Sequence, residues 1–358
     1  MRIVAMGGGT GLSTLLKGLK KYVRPEGSSD GLVPSLETSP GAEEPRIIEL
    51  SAIVTVSDDG GSSGRLRREF QVLPPGDIRN CLVALSEDEA LLSRLFQFRF
   101  PGGRGLKGHS FGNLFLTALT GVTGDFQEAV KVSSEVLVIR GRIIPSTMAD
   151  IQLEAVLANG RIVQGETRIS RSSTPIARIR LVPANCRPLP QTLEAIAQAD
   201  VITVGPGSLF TSLIPNLLVR GVTRKIAQSP AAKIYICNLM TQPGETTGFS
   251  VSDHVRAIYK HCGTALFDYV LLNNAPIAPR LERKYRAQQS QPVKNDFEEL
   301  KKLELRVVLA DLVSGGEGAH SALKKVRHNS DWLARTVLEI AARHHGSARQ
   351  KGKTGQRH

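Results

Sequence analysis

The residues best suited to chemistry in this chain are glycines, hydroxyls, amides and carboxylates gathered into short runs. The first is Gly7-Gly8-Gly9-Thr10-Gly11-Leu12. Glycines there let backbone N–H groups approach a phosphate, and a following helix N-terminus adds partial positive charge. The run departs from G-x-G-x-x-G, because Leu12 stands in the third glycine's place, and no Gly-Lys-Ser/Thr follows as in a Walker loop. It reads as a phosphate cradle through Gly8, Gly9, Thr10 and Gly11, or as a structural tight turn. Gly205-Pro206-Gly207-Ser208 is a second anion-cradle candidate, through Gly205, Gly207 and Ser208.

Asp58-Asp59-Gly60-Gly61-Ser62-Ser63-Gly64 brings two adjacent carboxylates to a glycine-rich turn. One could accept ribose hydroxyls, the pair could hold Mg²⁺ through oxygen ligands, or the run is a helix cap. Three glycines exceed what a cap needs. Pro75-Gly76-Asp77-Ile78-Arg79-Asn80 opens a helix, with Asp77 as its N-cap or as a functional acid. In Gly108-His109-Ser110-Phe111-Gly112-Asn113, Asn113 is the candidate for a ligand hydrogen bond. Asn238, Thr241 and Gln242 belong to a polar run extending to Thr246, and Asn273-Asn274 forms a further pair. There is no H-E-x-x-H pair and no clear acid–base carboxylate dyad, so these loops look built for binding first.

The elements that must position these runs follow from periodicity. Residues 2–6 are a short apolar strand, and Leu12, Leu15, Leu16 and Leu19 recur at helical spacing. Residues 47–56 read as a second strand, and 77–86, 89–98, 110–119 and 126–137 as helices. Residues 151–158 and 161–169 flank Asn159-Gly160, a two-residue hairpin signal, and 177–182 add a third strand. This makes a β excursion over about 142–183. Strands at 201–204, 233–237 and 269–273 then alternate with helices at 209–218 and 251–261, and a last helix at 331–343 takes Ser330 as its N-cap. Strands separated by helices predict an α/β, Rossmann-like, mostly parallel sheet with helices on both faces. In such sheets ligands bind beyond the C-terminal strand ends, which is where the polar runs fall.

Composition bounds the rest. The chain has 358 residues, 41% hydrophobic, with a formal net charge of +13. No apolar run approaches a membrane span, and the N-terminus lacks the pattern of a signal peptide. Cys81, Cys186, Cys237 and Cys262 form no C-x-x-C pair and read as reduced thiols of a cytoplasmic protein. Residues 24–46 read as an inserted surface loop. Residues 344–358 read as a disordered basic tail. Removing the five positive charges of Arg343, Arg349, Lys351, Lys353 and Arg357 leaves +8 for the body. That excess suits an anionic small ligand and does not require nucleic acid.

Taken together and in order, several of these runs resemble the YvcK proteins, the gluconeogenesis factors: Gly7 to Leu12, Asp58 to Leu66, Pro75 to Asn80, Gly112-Asn113-Leu114, Gly205 to Leu209 and Asn238 to Thr246. The resemblance covers about residues 1–340. It places the chain in the superfamily of 2-phospho-L-lactate transferases, CofD, and implies a single domain over 1–343 with nucleotide at the strand ends. It further implies binding of UDP-sugars such as UDP-N-acetylglucosamine, and roles in cell shape, cell-wall homeostasis and growth on gluconeogenic carbon. Partners would be envelope-synthesis proteins, and a homo-oligomer is open. The family's Arg-His-Asp-Thr-like string is matched by Arg327-His328-Asn329-Ser330, where Asn329 and Ser330 depart from it. The arginine there is tied to UDP-sugar binding, and a planar, permanently charged fork suits a diphosphate. The alternative is a Mg²⁺-dependent phospholactate-type transferase using a nucleotide diphosphate donor near Asp58 and Asp59. NAD or GDP could occupy the same cleft, and no tightly bound cofactor is expected.

Overall fold

The computed structural model describes residues 1–24, 46–87, 91–314 and 325–354, with side chains given up to residue 344. Most of the expected insertion at 24–46, and residues 355–358, lie outside them. Seven strands form one parallel sheet: β1 (Arg2–Gly7), β2 (Glu49–Val54), β3 (Arg142–Pro145), β7 (Val201–Val204), β8 (Ala232–Ile236), β9 (Tyr269–Asn273) and β10 (Arg306–Ala310), in the order β10-β9-β8-β7-β1-β2-β3. The remaining three, β4 (Gln152–Leu157), β5 (Ile162–Gln164) and β6 (Ile176–Val182), make a small antiparallel sheet in the order β5-β4-β6.

The strands of the parallel sheet's centre are short apolar runs, as a sheet covered on both faces requires. Every residue of β7 is buried, and so is all of β1 beyond Arg2. Helices Gly9–Leu19, Gly76–Leu85 and Ser330–Thr354 form one packed group, and Pro190–Gln198, Ile214–Leu218, Val222–Gln228 and Val251–Cys262 another. Ile3 sits between Leu50 of β2 and Val201 of β7. The chain leaves β1 toward β2 and later returns to β7 on β1's other side. Strand order therefore reverses between β1 and β7, and a crevice opens at their C-terminal ends.

Several local expectations change. β3 joins the edge of the main sheet, pairing Ile143 with Ala52, so the β excursion proper begins at β4. The stretch 161–169 is strand only through Gln164; Glu166–Ile169 forms a helical turn. The hairpin loop is one residue longer than its Asn-Gly signal suggests, because the Leu157 N–H bonds the Arg161 carbonyl across residues 158–160. The segment 209–218 opens as a π-turn, Leu209–Leu213, before the α-helix Ile214–Leu218. The last helix runs on to Thr354, so 344–354 is helical where disorder was expected. Its N-cap is Asn329, not Ser330: Asn329 Oδ1 accepts from the N–H groups of Asp331 at 2.9 Å and Trp332 at 3.1 Å. All four cysteines are free thiols.

Candidate functional site

The loop after β1 turns directly into helix Gly9–Leu19. Gly8 is its N-cap and has no side chain to cap with, and no acidic residue of the helix itself stands in the first turn. The helix therefore presents N–H groups and partial positive charge to the crevice. The loop after β7 lies against it. A Cβ on Gly11 would collide with the Pro206 carbonyl oxygen and lie 2.6 Å from its carbon, so the two loops can meet only through glycine.

That second loop is not the N–H cradle expected. The Gly205 N–H bonds the Met6 carbonyl at 3.0 Å, and Pro206 has none to offer. Asn238, at the end of β8, clamps Gly207: its Oδ1 accepts from the Gly207 N–H at 3.1 Å and its Nδ2 donates to the Gly207 carbonyl at 2.8 Å. The loop instead presents the Ser208 hydroxyl, which accepts from Gln242 Nε2 at 2.9 Å. Gln242 Oε1 is buried without a partner.

Between the loops lies a cleft of about 330 Å³. It gathers Gly8, Gly9, Thr10, Gly11, Gly207, Ser208, Asn238, Thr241, Gln242 and Arg327 from the candidate residues. Arg327 arrives from far along the chain. The Ser314 N–H bonds its carbonyl at 3.0 Å, and its neighbour His328 bridges Val313. Arg327 is exposed and makes no ion pair among the described residues. His328 Nε2 faces the Cys237 carbonyl at 3.3 Å, and burial pushes its pKa down to about 4, so it is a neutral wall rather than a second cation.

Four candidates fall outside the cleft lining. Gly205 is a conformational glycine, with φ +96° and the Ile236 carbonyl close behind it. Asn113 is 2% exposed, and its Nδ2 donates to Ser63 Oγ at 3.4 Å, away from the cleft. The Asp58–Asp59 pair separates. Asp58 Oδ1 accepts from the Gly60 N–H at 2.8 Å. Asp59 Oδ1 accepts from the Thr167 N–H at 2.9 Å and its hydroxyl at 2.6 Å, tying the small sheet's helical turn to the glycine loop. The two carboxylates thus serve different elements through their Oδ1 atoms. No group of three or more His, Cys, Asp or Glu side chains able to hold a metal occurs among the described residues.

A carboxylate that the sequence leaves open between helix cap and functional acid lies against the first glycine loop. Asp77, in the first turn of Gly76–Leu85, accepts a hydrogen bond from the Gly9 N–H, and a Cβ on Gly8 would be 2.5 Å from its Oδ2. Its pKa is pushed up to about 7, first by burial and then by the charge of Asp58; the Gly9 bond and Arg79 oppose this. Glu166 is raised well above its usual range, again by burial first, then by Asp58 and Asp77. Glu245, 5% exposed, holds the opening of the π-turn by accepting from the Phe210 N–H at 3.2 Å and the Thr211 hydroxyl at 3.1 Å. Sequence reasoning missed Glu166, Tyr285 and Gln288. None sits beside a glycine run, though Tyr285 and Gln288 also line the cleft.

Residues 3–313 match the model of the 2-phospho-L-lactate transferase CofD family. The chain is 45% identical over 339 residues to the gluconeogenesis factor of Bacillus subtilis, covering 95% of this chain and 98% of that one. It belongs to the gluconeogenesis-factor (YvcK) branch of the CofD family. The gluconeogenesis factor of Halalkalibacterium halodurans is 44% identical over 337 residues, covering 94% of this chain and 95% of that one. A crystal structure of a Bacillus halodurans protein matches with a TM-score of 0.83 at 44% identity, covering 94% of this chain and 99% of that one. No helix among the described residues is long and apolar enough to cross a membrane.

Proposed function

We propose that this CofD-family member binds a nucleoside diphosphate sugar, of the UDP-N-acetylglucosamine kind, as a regulatory ligand. One observation carries the reading: a glycine-opened helix N-terminus and an arginine from a distant segment, without an ion pair among the described residues, face one cleft at the strand-order reversal. The helix N–H groups and the Arg327 fork suit the two halves of a diphosphate. Leu239, Met240, Pro243 and Tyr285 give the β8 end of the cleft an apolar lining suited to a flat base. Such a protein would act in the cytoplasm, report on precursor supply, and bear on cell shape, wall synthesis and gluconeogenic growth through envelope-synthesis proteins.

A second reading is group transfer from a nucleotide diphosphate donor, as the family's name describes. Asp77 favours it: a carboxyl titrating near neutrality beside the phosphate loop can take or give a proton at working pH. The test is calorimetric titration with UDP-N-acetylglucosamine, GDP and NAD, with and without Mg²⁺, beside Arg327→Ala. The regulatory reading expects UDP-N-acetylglucosamine to bind best, to remain intact over hours, and to lose about tenfold or more in affinity in the variant. Binding of GDP alone, or donor consumption once an acceptor is supplied, rejects it.

A further inference from the structure

A second cavity, of about 290 Å³, adjoins the first across helix Gly9–Leu19, and Thr10, Thr14 and Arg327 line both. Its chemistry differs. Where the first has an apolar end, this one is walled by Ser13, Lys17, Asn80, Ser93 and Gln97, with Val83 and Ala84 as its apolar patch. Three elements form it: Gly9–Leu19, Gly76–Leu85 and Leu91–Gln97.

The walls are set up for hydroxyl groups. The Ser13 hydroxyl donates to the Gly9 carbonyl at 2.7 Å, and the Thr14 hydroxyl to the Thr10 carbonyl at 2.9 Å. Each spends its proton within the helix and keeps acceptor lone pairs. Asn80 Oδ1 is taken by Arg79 at 2.6 Å, which leaves its Nδ2 as a donor. The exposed Gln97 amide offers both a donor and an acceptor. The cavity therefore combines acceptors, donors and one small apolar patch. With Lys17 and Arg327 adding positive charge, it suits a phosphate-linked pyranose with several hydroxyls, or with an acetamido group whose methyl meets Val83 and Ala84.

We infer that this second cavity is the glycosyl subsite. The base lies toward β8, the diphosphate spans the turn at Thr10 with Arg327, and the sugar enters between the three helices. The inference rests on the nucleotide-sugar reading above and adds to it the direction of the ligand and the residues that choose the sugar. Gln97 and Asn80 are the selectivity residues, and neither touches the base or the diphosphate.

The experiment measures UDP and UDP-N-acetylglucosamine affinities for the wild-type chain, Gln97→Ala, Asn80→Ser and the blocking variant Gln97→Trp, with melting temperatures as a fold control. Gln97 is exposed, so its variants are expected to fold. The inference predicts that UDP-N-acetylglucosamine binds the wild type more tightly than UDP does. It also predicts about a five- to tenfold loss of the sugar ligand in each truncation, from one or two hydrogen bonds. Gln97→Trp removes the whole advantage of the sugar, and UDP affinity stays unchanged throughout. Equal losses for UDP and UDP-N-acetylglucosamine, or no advantage of the sugar ligand in the wild type, overturn the subsite. If UDP itself fails to bind the wild type, the nucleotide reading fails first, and the subsite with it.

Discussion

Replacing Asp77 with asparagine should stabilise the protein at alkaline pH and uncouple ligand binding from protons. The Asp77 pKa rises from 3.8 to about 7, through burial first and the Asp58 charge second. The folded state therefore holds a proton that the unfolded chain releases near pH 4. Stability is flat below about pH 4, falls as pH climbs toward 7, and levels off above it. At about 1.4 kcal/mol per pH unit the full displacement corresponds to about 4 kcal/mol. Asp77 keeps partial exposure, which screens part of this, so about 2 kcal/mol is the working figure for Asp77→Asn at pH 8. The amide Oδ1 can still accept from the Gly9 N–H, so the loop geometry is kept. A bound diphosphate beside Gly9 adds negative charge and raises the Asp77 pKa further, so binding near pH 8 takes up a proton. Urea denaturation at pH 5, 6, 7 and 8 reads the stability difference. Calorimetry in buffers of different ionisation heats reads the proton. An Asp77→Asn variant that keeps the wild-type pH slope, or that is less stable at pH 8, would refute the reasoning.

Other substitutions test the scaffold. Gly11→Ala puts a methyl into the Pro206 carbonyl, so it should lower the melting temperature and weaken UDP-N-acetylglucosamine binding together. Asn238→Ala releases both bonds that hold Gly207 and should cost about 1–3 kcal/mol in denaturant titration. Asn329→Ala removes the cap of the last helix and should cost about 1 kcal/mol, whereas Ser330→Ala should cost less.

The parts legible in the sequence are those whose chemistry is local. The strand 201–204 ends in glycine, proline and serine, and the structure places β7 at those residues, followed by the loop that meets Gly11. A glycine run after an apolar strand announces a close approach, and the first loop makes one. What escaped depends on partners distant in the chain. Asp58 and Asp59 look alike in sequence, yet Thr167 claims Asp59 from the helical turn that follows β5. The Gly207 N–H looks free until Asn238 is seen to occupy it. β10 lies at the sheet's edge, and none of its residues is fully buried, so its pattern carries little of the apolar signal that marks a central strand. Asp77 reads equally well as a helix cap, because the burial that raises its pKa comes from packing beneath the glycine loop.

The most direct test of the central claim is a crystal structure of this protein soaked with UDP-N-acetylglucosamine. The account predicts the diphosphate on the N-terminal turn of Gly9–Leu19, within hydrogen-bond reach of Arg327, with the base against Tyr285 and Met240. A ligand bound elsewhere, or a diphosphate contacting Asp58 and Asp59 through a metal while Arg327 points away, would contradict it.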